Sequence, residues 1–382
     1  MGILTGILII IVCCVVIWRA SDDFENASVY LGRNLSDGVR GATINAIGSS
    51  MPELFTTIFF FVYFLYMKGD AAEANNGFAG GIGTTAGSAI FNGMIIPAVV
   101  ILAVIGFGLA KQVTVSKKVI LRDGLSLIVA EFILILLISG SKLYWWHGLI
   151  LMLTYAAYVI LTFSTMSKNV DDDEDDEEEY YENDSDKSAI YNLLTLNLSA
   201  VFVKDKINNS NGWLLLIMSM VIIGVACFFL VQGCEYTGLA LGIDTYFVAV
   251  VLASAATSVP DTILSYRDAL NGEYDDAVAN ALGSNIFDVC FALGLPLFVF
   301  ALIQGGIEMS PETVDNVTEL RVLLLGMTIV AFFIYYIGNS MGRIKAFLLL
   351  GMYIAFTIYI LASAYKYDWA VQMGEFLRNL VG

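Results

Sequence analysis

Two carboxylates stand in apolar sequence directly after a proline: Glu53 in NAIGSSMPELFTTI and Asp261 in ASAATSVPDTILSY, with no Lys or Arg in either stretch. A second pair of motifs follows in the same order, GSAIFN ending at Asn92 and GSNIFD ending at Asp288. Ser50 and Glu53 are three apart, as are Ser258 and Asp261, whereas Ser88 and Asn92 are four apart, as are Ser284 and Asp288. Both spacings put the paired side chains on one helical face. Proline removes a backbone donor and disturbs the turn before it, so carbonyls near Ser49, Ser50, Thr257 and Ser258 are left free to bind something. Three carboxylates, one amide and several hydroxyls would then gather without a basic partner. An acid in hydrocarbon needs a pair or a proton, so its natural partner here is a mobile cation. Ligand sets made only of oxygen select hard cations, and calcium accepts about six to eight oxygens in flexible geometry, whereas zinc and copper favour nitrogen or sulfur. The expected cargo is calcium, sodium or potassium. Glu53 and Asp261 facing one another suit a divalent ion, serine, threonine and backbone oxygens suit monovalent ones, and a shared site suits exchange.

The elements that position these residues must cross lipid. The 382 residues are 58% hydrophobic and 14% charged, against about 25% charged in soluble domains. Gly2 to Trp18, Trp213 to Val231, Val322 to Gly338 and Ala346 to Leu361 are each about as long as a helix needs to cross hydrocarbon. The alternation of a β-barrel is absent. The expected fold is an all-α polytopic membrane protein of ten transmembrane helices, centred near residues 10, 53, 92, 130, 155, 222, 256, 290, 330 and 355. They fall into two inverted five-helix repeats. Residues 1–167 form the first half, with a repeat over about 38–108, and residues 212–382 the second, with a repeat over about 243–305. An acidic linker over 168–211 separates them. Inverted repeats are a feature of secondary transporters, whose sites form at mid-membrane where the repeats meet.

Charge placement orients the chain. With the N- and C-termini outside and the linker cytoplasmic, all but Lys68, Lys142, Arg321, Lys366 and Arg378 of the nineteen basic residues lie inside, as the positive-inside rule requires. Much of the net charge of −17 sits in Asp171 to Glu179 with Glu182, Asp184 and Asp186, a run that reads as a solvated linker and lacks the spacing of an EF-hand. Gly2 to Trp18 has no basic leader and reads as the first transmembrane helix rather than a signal peptide. Cys13, Cys14, Cys227, Cys234 and Cys290 have no metal-ligand spacing, and the single histidine, His147, gives little support to a zinc site or proton relay. The glycines of GFAGGIGTTAG follow no strand, so helix packing explains them better than phosphate binding. Glu131 is a further intramembrane acid with no counterpart, for which a supporting role is expected.

The motifs resemble those of the cation/calcium exchanger superfamily, whose alpha-repeats carry G-[ST]-S-x-P-[ED] and G-S-x-x-x-[ND]. NAIGSSMPELFTT, TSVPD and GSNIFDVCFALGLP look most like the potassium-dependent sodium/calcium exchangers. The resemblance implies that Glu53 and Asp261 are the principal calcium ligands and that Asp288 is associated with potassium, with Ser50, Ser88, Asn92, Ser258, Thr257 and Ser284 helping; Ser49, beside the break, joins this set. It implies a sodium/calcium antiporter working by alternating access in the cell membrane, a monomer in lipid, with ions as cargo, no cofactor, no enzyme activity and no nucleic-acid partner. Alternatives are a potassium-independent sodium/calcium exchanger or a calcium/proton exchanger. The chain departs from the pattern in two ways: Ala256 stands where a glycine is common, and Glu53 to Ser88 is 35 positions where Asp261 to Ser284 is 23, so the outer end of the second and third helices should be remodelled. The central linker leaves no room for a calcium-sensing domain. An intramembrane protease using Asp261 and Asp288 lacks its signatures, and inverted repeats weigh against a passive channel.

Overall fold

The computed structural model describes residues 2–31, 33, 46–68, 71–165, 188–203, 206–338 and 340–381. The acidic run from Asp171 to Asp186 and the start of the first expected repeat, residues 38–45, lie outside them. In the first half the helices are α1 (Ile3–Leu31), α2 (Ala46–Ser49), α3 (Met51–Val62, continued by the π-helical Tyr63–Lys68), α4 (Ala71–Gly106), α5 (Lys117–Leu137) and α6 (Trp145–Thr165). Two short helices follow, α7 (Ala189–Leu194) and α8 (Leu198–Phe202). The second half begins with α9 (Asn209–Leu241) and α10 (residues 245–257, with a π turn at Ala249–Ala253). It continues with α11 (Val259–Asn271), α12 (Tyr274–Phe287, extended by the π turn Asp288–Ala292), α13 (Gly294–Gln304), α14 (Pro311–Tyr336), α15 (Arg343–Ala364) and α16 (Asp368–Asn379).

Among the described residues eight helices are long and apolar enough to cross a membrane. Two of the ten expected segments fall short of that measure. The segment around residue 53 is divided at Ser50, as the counted Thr245–Asn271 is at Ser258, and α5 carries Lys117, Lys118, Arg122, Asp123 and Glu131. The all-α expectation also needs a small correction. Lys142–Leu143 (β1) pairs antiparallel with Ile307–Glu308 (β2), joining the α5–α6 loop to the α13–α14 loop, and a single bridge joins Val113 to Met341 at another pair of loops.

Close approach through small residues sets the packing. α1 runs antiparallel along α9: a Cβ on Gly6 would lie 2.3 Å from Thr237 Oγ1, while Gly212 lies against Tyr30 and Leu31 at the other end. The glycine-rich start of α4 does what the sequence suggested, since Gly77 and Gly80 meet Phe60 at distances that leave no space for a methyl group. Gly87 is tighter still, 2.2 Å from the Val250 carbonyl on α10 for an added Cβ. The five cysteines are free, and four are buried in helix packing.

The extra residues of the first hairpin lengthen its helices rather than forming a separate loop. Glu53 lies 15 residues before the end of its helix at Lys68, Asp261 only 10 before Asn271. Ser88 lies 17 after Ala71, and Ser284 only 10 after Tyr274. At 1.5 Å per residue the first hairpin reaches roughly 8–10 Å further. Its tip is tied to α9, where Glu235 accepts from Tyr63 Oη at 2.6 Å and pairs with Lys68 at 2.6 Å.

Candidate functional site

The same backbone break occurs in both halves. Ser50 (φ −96°, ψ 9°) and Ser258 (φ −81°, ψ 2°) leave helical geometry, and a new helix starts with Pro52 or Pro260 in its first turn. There the missing N–H costs nothing, because first-turn donors have no helical partner. Proline therefore starts α3 and α11 rather than kinking a continuous helix. Glu53 and Asp261 occupy the first turns so formed, where the helix dipole favours negative charge.

Each acid accepts from the serine of the next helix in its own half: Ser88 Oγ donates to Glu53 Oε1 at 3.1 Å, and Ser284 Oγ to Asp261 Oδ1 at 2.9 Å. Contacts between the halves complete the cluster. Asn92 Nδ2 donates to Asp261 Oδ2 at 3.0 Å, Ser88 Oγ lies 2.9 Å from Asp288 Oδ2, and Ser88 and Ser258 hydroxyls are 2.7 Å apart. Ser49 sits beside Asp261, Thr257 beside Glu53 and Ser50 beside Asp288. Thr257 also donates to the Ser254 carbonyl at 3.1 Å. All ten residues expected at the site are buried, and all but Ser49 are fully so.

Hydrogen bonding inside this cluster is incomplete. Ser88 has one hydroxyl proton but faces Glu53, Asp288 and Ser258, so it cannot serve both carboxylates at once. Ser50 Oγ, Glu53 Oε2, Asn92 Oδ1 and Asp288 Oδ1 are buried without a hydrogen bond of normal geometry. No Lys or Arg among the described residues pairs with the three acids. Buried oxygens that lack donors cost energy until a proton or cation reaches them. The donor set suits a hard cation, although no three His, Cys, Asp or Glu side chains among the described residues converge as a ready cage. Serine and asparagine oxygens would supply most of the ligands. A narrow cleft of about 10 Å³ runs from Ser49 and Pro260 past Ser28 to Asp22 and Glu25, which Arg267 bridges at 3.1 and 3.8 Å.

Several contributors escape the motif reading. Asn285 Nδ2 donates to the Ala89 carbonyl at 2.9 Å, and Asn280 Nδ2 to Ser265 Oγ at 3.0 Å. Asn285 lies within GSNIFD and was visible there. Tyr335, whose hydroxyl donates to the Gly93 carbonyl one residue past Asn92, had no local signal. Glu131 stays apart from the cluster: Thr328 Oγ1 on α14 donates to its Oε1 at 2.7 Å, tying α5 to α14.

Residues 5–164 and 211–362 match the family described as sodium/calcium exchanger protein. Sodium/potassium/calcium exchanger 3 of Rattus norvegicus is 36% identical over 128 residues, covering 34% of this chain and 18% of that protein. The match therefore spans less than a fifth of that relative's length. Sodium/potassium/calcium exchanger 5 of Homo sapiens is 26% identical over 391 residues, covering 82% of this chain and 74% of its own. Among solved structures, the H+/Ca2+ exchanger CAX superposes with a TM-score of 0.61 at 13% identity, covering 100% of this chain and 93% of that one. The sodium-calcium exchanger NCX_Mj gives 0.55 at 23% identity, covering 92% and 98%. At such identities the likeness is one of fold. Both halves of the chain, with their acid-bearing motifs, fall within the family match, and the chain belongs to the sodium/calcium exchanger proteins, an integral membrane family of ion exchangers.

Proposed function

We propose that the chain is a sodium/calcium antiporter working by alternating access, built from ten transmembrane helices in two inverted repeats. The observation that carries this reading is the matched pair of half-sites: a break at serine, proline in the next turn, an acid, and a serine from the following helix, made once around Glu53 and once around Asp261. Cargo oxygens come from Ser49, Ser50, Glu53, Ser88, Asn92, Thr257, Ser258, Asp261, Ser284 and Asp288. Calcium is held between Glu53 and Asp261, and sodium takes its place among the hydroxyl and carbonyl oxygens. Fixed ligand charge makes the empty site costly to move through lipid, so the halves reorient when loaded.

Potassium accompanies calcium in this reading. The two halves differ at one motif position, Asn92 in the first and Asp288 in the second, and the third acid adds a negative charge that a monovalent ion can neutralise. The names of the sodium/potassium/calcium exchangers matched over part or most of the chain support it. The protein sits in the cell membrane as a monomer, its termini outside and its acidic linker in the cytoplasm.

The test is calcium uptake by purified protein in liposomes under an outward sodium gradient, with and without potassium, for wild type, Glu53→Gln and Asp261→Asn. Sodium-driven uptake that vanishes in both variants is expected. Uptake that follows a proton gradient and ignores sodium would replace this reading with calcium/proton exchange. Flux unchanged by potassium would remove the third ion.

A further inference from the structure

A groove of about 770 Å³ opens between the α4–α5 loop and the start of α15, far from the ion site in sequence and in its lining. Lys111, Arg343 and Lys345 line it, and Lys117 lies beside it with Nζ 5.3 Å over the Tyr336 ring. Among the described residues Lys111, Lys117 and Arg343 form no ion pair with a carboxylate, and Lys345 gives its ammonium only to the Ile337 carbonyl. Asp275 accepts from the backbone N–H of Ser116, just before α5, at 2.6 Å. Elsewhere the protein pairs its cations readily, as Arg267, Arg378, Lys142 and Lys366 do.

The rim of the groove is apolar and open. Ile344 is 78% exposed, Phe107 67% and Ile337 65%. Ile344 continues into the exposed stripe of Phe347 and Leu348 on α15, a helix apolar enough to cross the membrane. Cations without a carboxylate partner directly above a lipid-facing apolar surface match a molecule with an anionic head and hydrocarbon tails. The charge count over the loops assigns this face to the cytoplasm, where anionic lipids concentrate.

We infer that this groove binds the phosphate headgroup of an anionic membrane lipid, with Lys111, Arg343 and Lys345 around the phosphate and the acyl chains along α15. Each cation near a membrane surface contributes roughly fivefold in affinity, so removing three should weaken binding on the order of a hundredfold.

Full-length protein in mixed micelles is titrated with short-chain phosphatidylglycerol, with phosphatidylcholine of the same chains, and with inorganic phosphate, following bound lipid by native mass spectrometry and the thermal midpoint. Phosphatidylglycerol should bind preferentially, lose that preference in K111Q/R343Q/K345Q and keep it in R343K/K345R and in K142Q/K366Q. Salt should weaken it in the wild type, a measurement that does not depend on any variant folding. Equal binding of the two lipids, preference surviving the triple substitution or lost in R343K/K345R, or insensitivity to salt would overturn the inference. So would an equal effect from inorganic phosphate, which would make this a free-anion site.

Discussion

Ser88 is the residue on which both halves of the candidate ion site converge. Its hydroxyl lies within 3.1 Å of Glu53, Asp288 and Ser258, whereas its counterpart Ser284 reaches only Asp261. Equivalent positions in the repeat therefore carry unequal loads. Ser88→Ala should raise the calcium concentration for half-maximal uptake by about tenfold or more, because hydrogen bonds to charged groups are worth roughly 1.5–3 kcal/mol each. Ser284→Ala should raise it by less, because its hydroxyl meets one carboxylate where Ser88 meets two. Equal effects of the two substitutions in proteoliposome uptake assays would contradict the asymmetry. That these residues gather was legible in the sequence, because a proline, an acid and a serine at helical spacing recur in both halves. The hub was not, since which of two equivalent serines faces three partners depends on how four helices meet. Burial of all ten expected residues in one cluster shows how far local spacing goes when the elements are broken helices.

At the level of elements, α4 and α12 carry corresponding motifs on different backbones. Asp288 opens a π turn in its helix, while Asn92 lies in unbroken α-helix interrupted only by Pro97. Pro97 has no N–H to give the carbonyl four residues earlier, that of Gly93, and Tyr335 Oη from α14 takes that place. Tyr335→Phe should therefore cost about 1 kcal/mol in thermal unfolding. In a Pro97→Ala background, where the helix regains its own donor, the same change should cost much less. Additive costs would sever the link between proline and tyrosine. The glycines before the two serines separate the halves in the same way. Gly87→Ala would drive a methyl group into the Val250 carbonyl, backbone that cannot yield, whereas a Cβ at Gly283 meets only Tyr158 Oη at an ordinary 3.5 Å. Gly87→Ala should push α4 and α10 apart beside Ser88 and abolish uptake, with a loss of about 1–3 kcal/mol of stability. Gly283→Ala should retain most of both, which parallel uptake and melting measurements would check. Sequence marked Gly87 as a packing residue, but the tolerance of either glycine is fixed by the neighbour it meets.

For the whole molecule, a ten-helix layout requires α3 and α5 to cross the membrane with the eight helices long and apolar enough to do so. Eight of the ten expected helices were legible as apolar runs; the two others, α3 and α5, carry more polar and charged residues, and only the path of the chain decides their role. The loops supply the physical constraint. β1 and β2 bring the α5–α6 and α13–α14 loops to one face, while Val113 and Met341 bring the α4–α5 and α14–α15 loops together. If α5 crosses, Lys118 at its start and Lys142 just past its end lie on opposite sides; if it does not, they share one. If α3 crosses, Lys68 lies outside with Lys142 and Lys366. The native cysteines scarcely interfere, since Cys13, Cys227, Cys234 and Cys290 are buried and Cys14 sits within α1. Lys68→Cys, Lys142→Cys and Lys366→Cys should therefore react with a membrane-impermeant maleimide on intact cells, and Lys118→Cys only after permeabilisation. Labelling of Lys118→Cys and Lys142→Cys from the same side would remove α5 from the membrane, and with it the inverted relation of the two halves. The paired geometry of the candidate ion site would then need another explanation, because a pseudo-twofold axis in the membrane plane requires the corresponding helices of the two halves to cross in opposite directions.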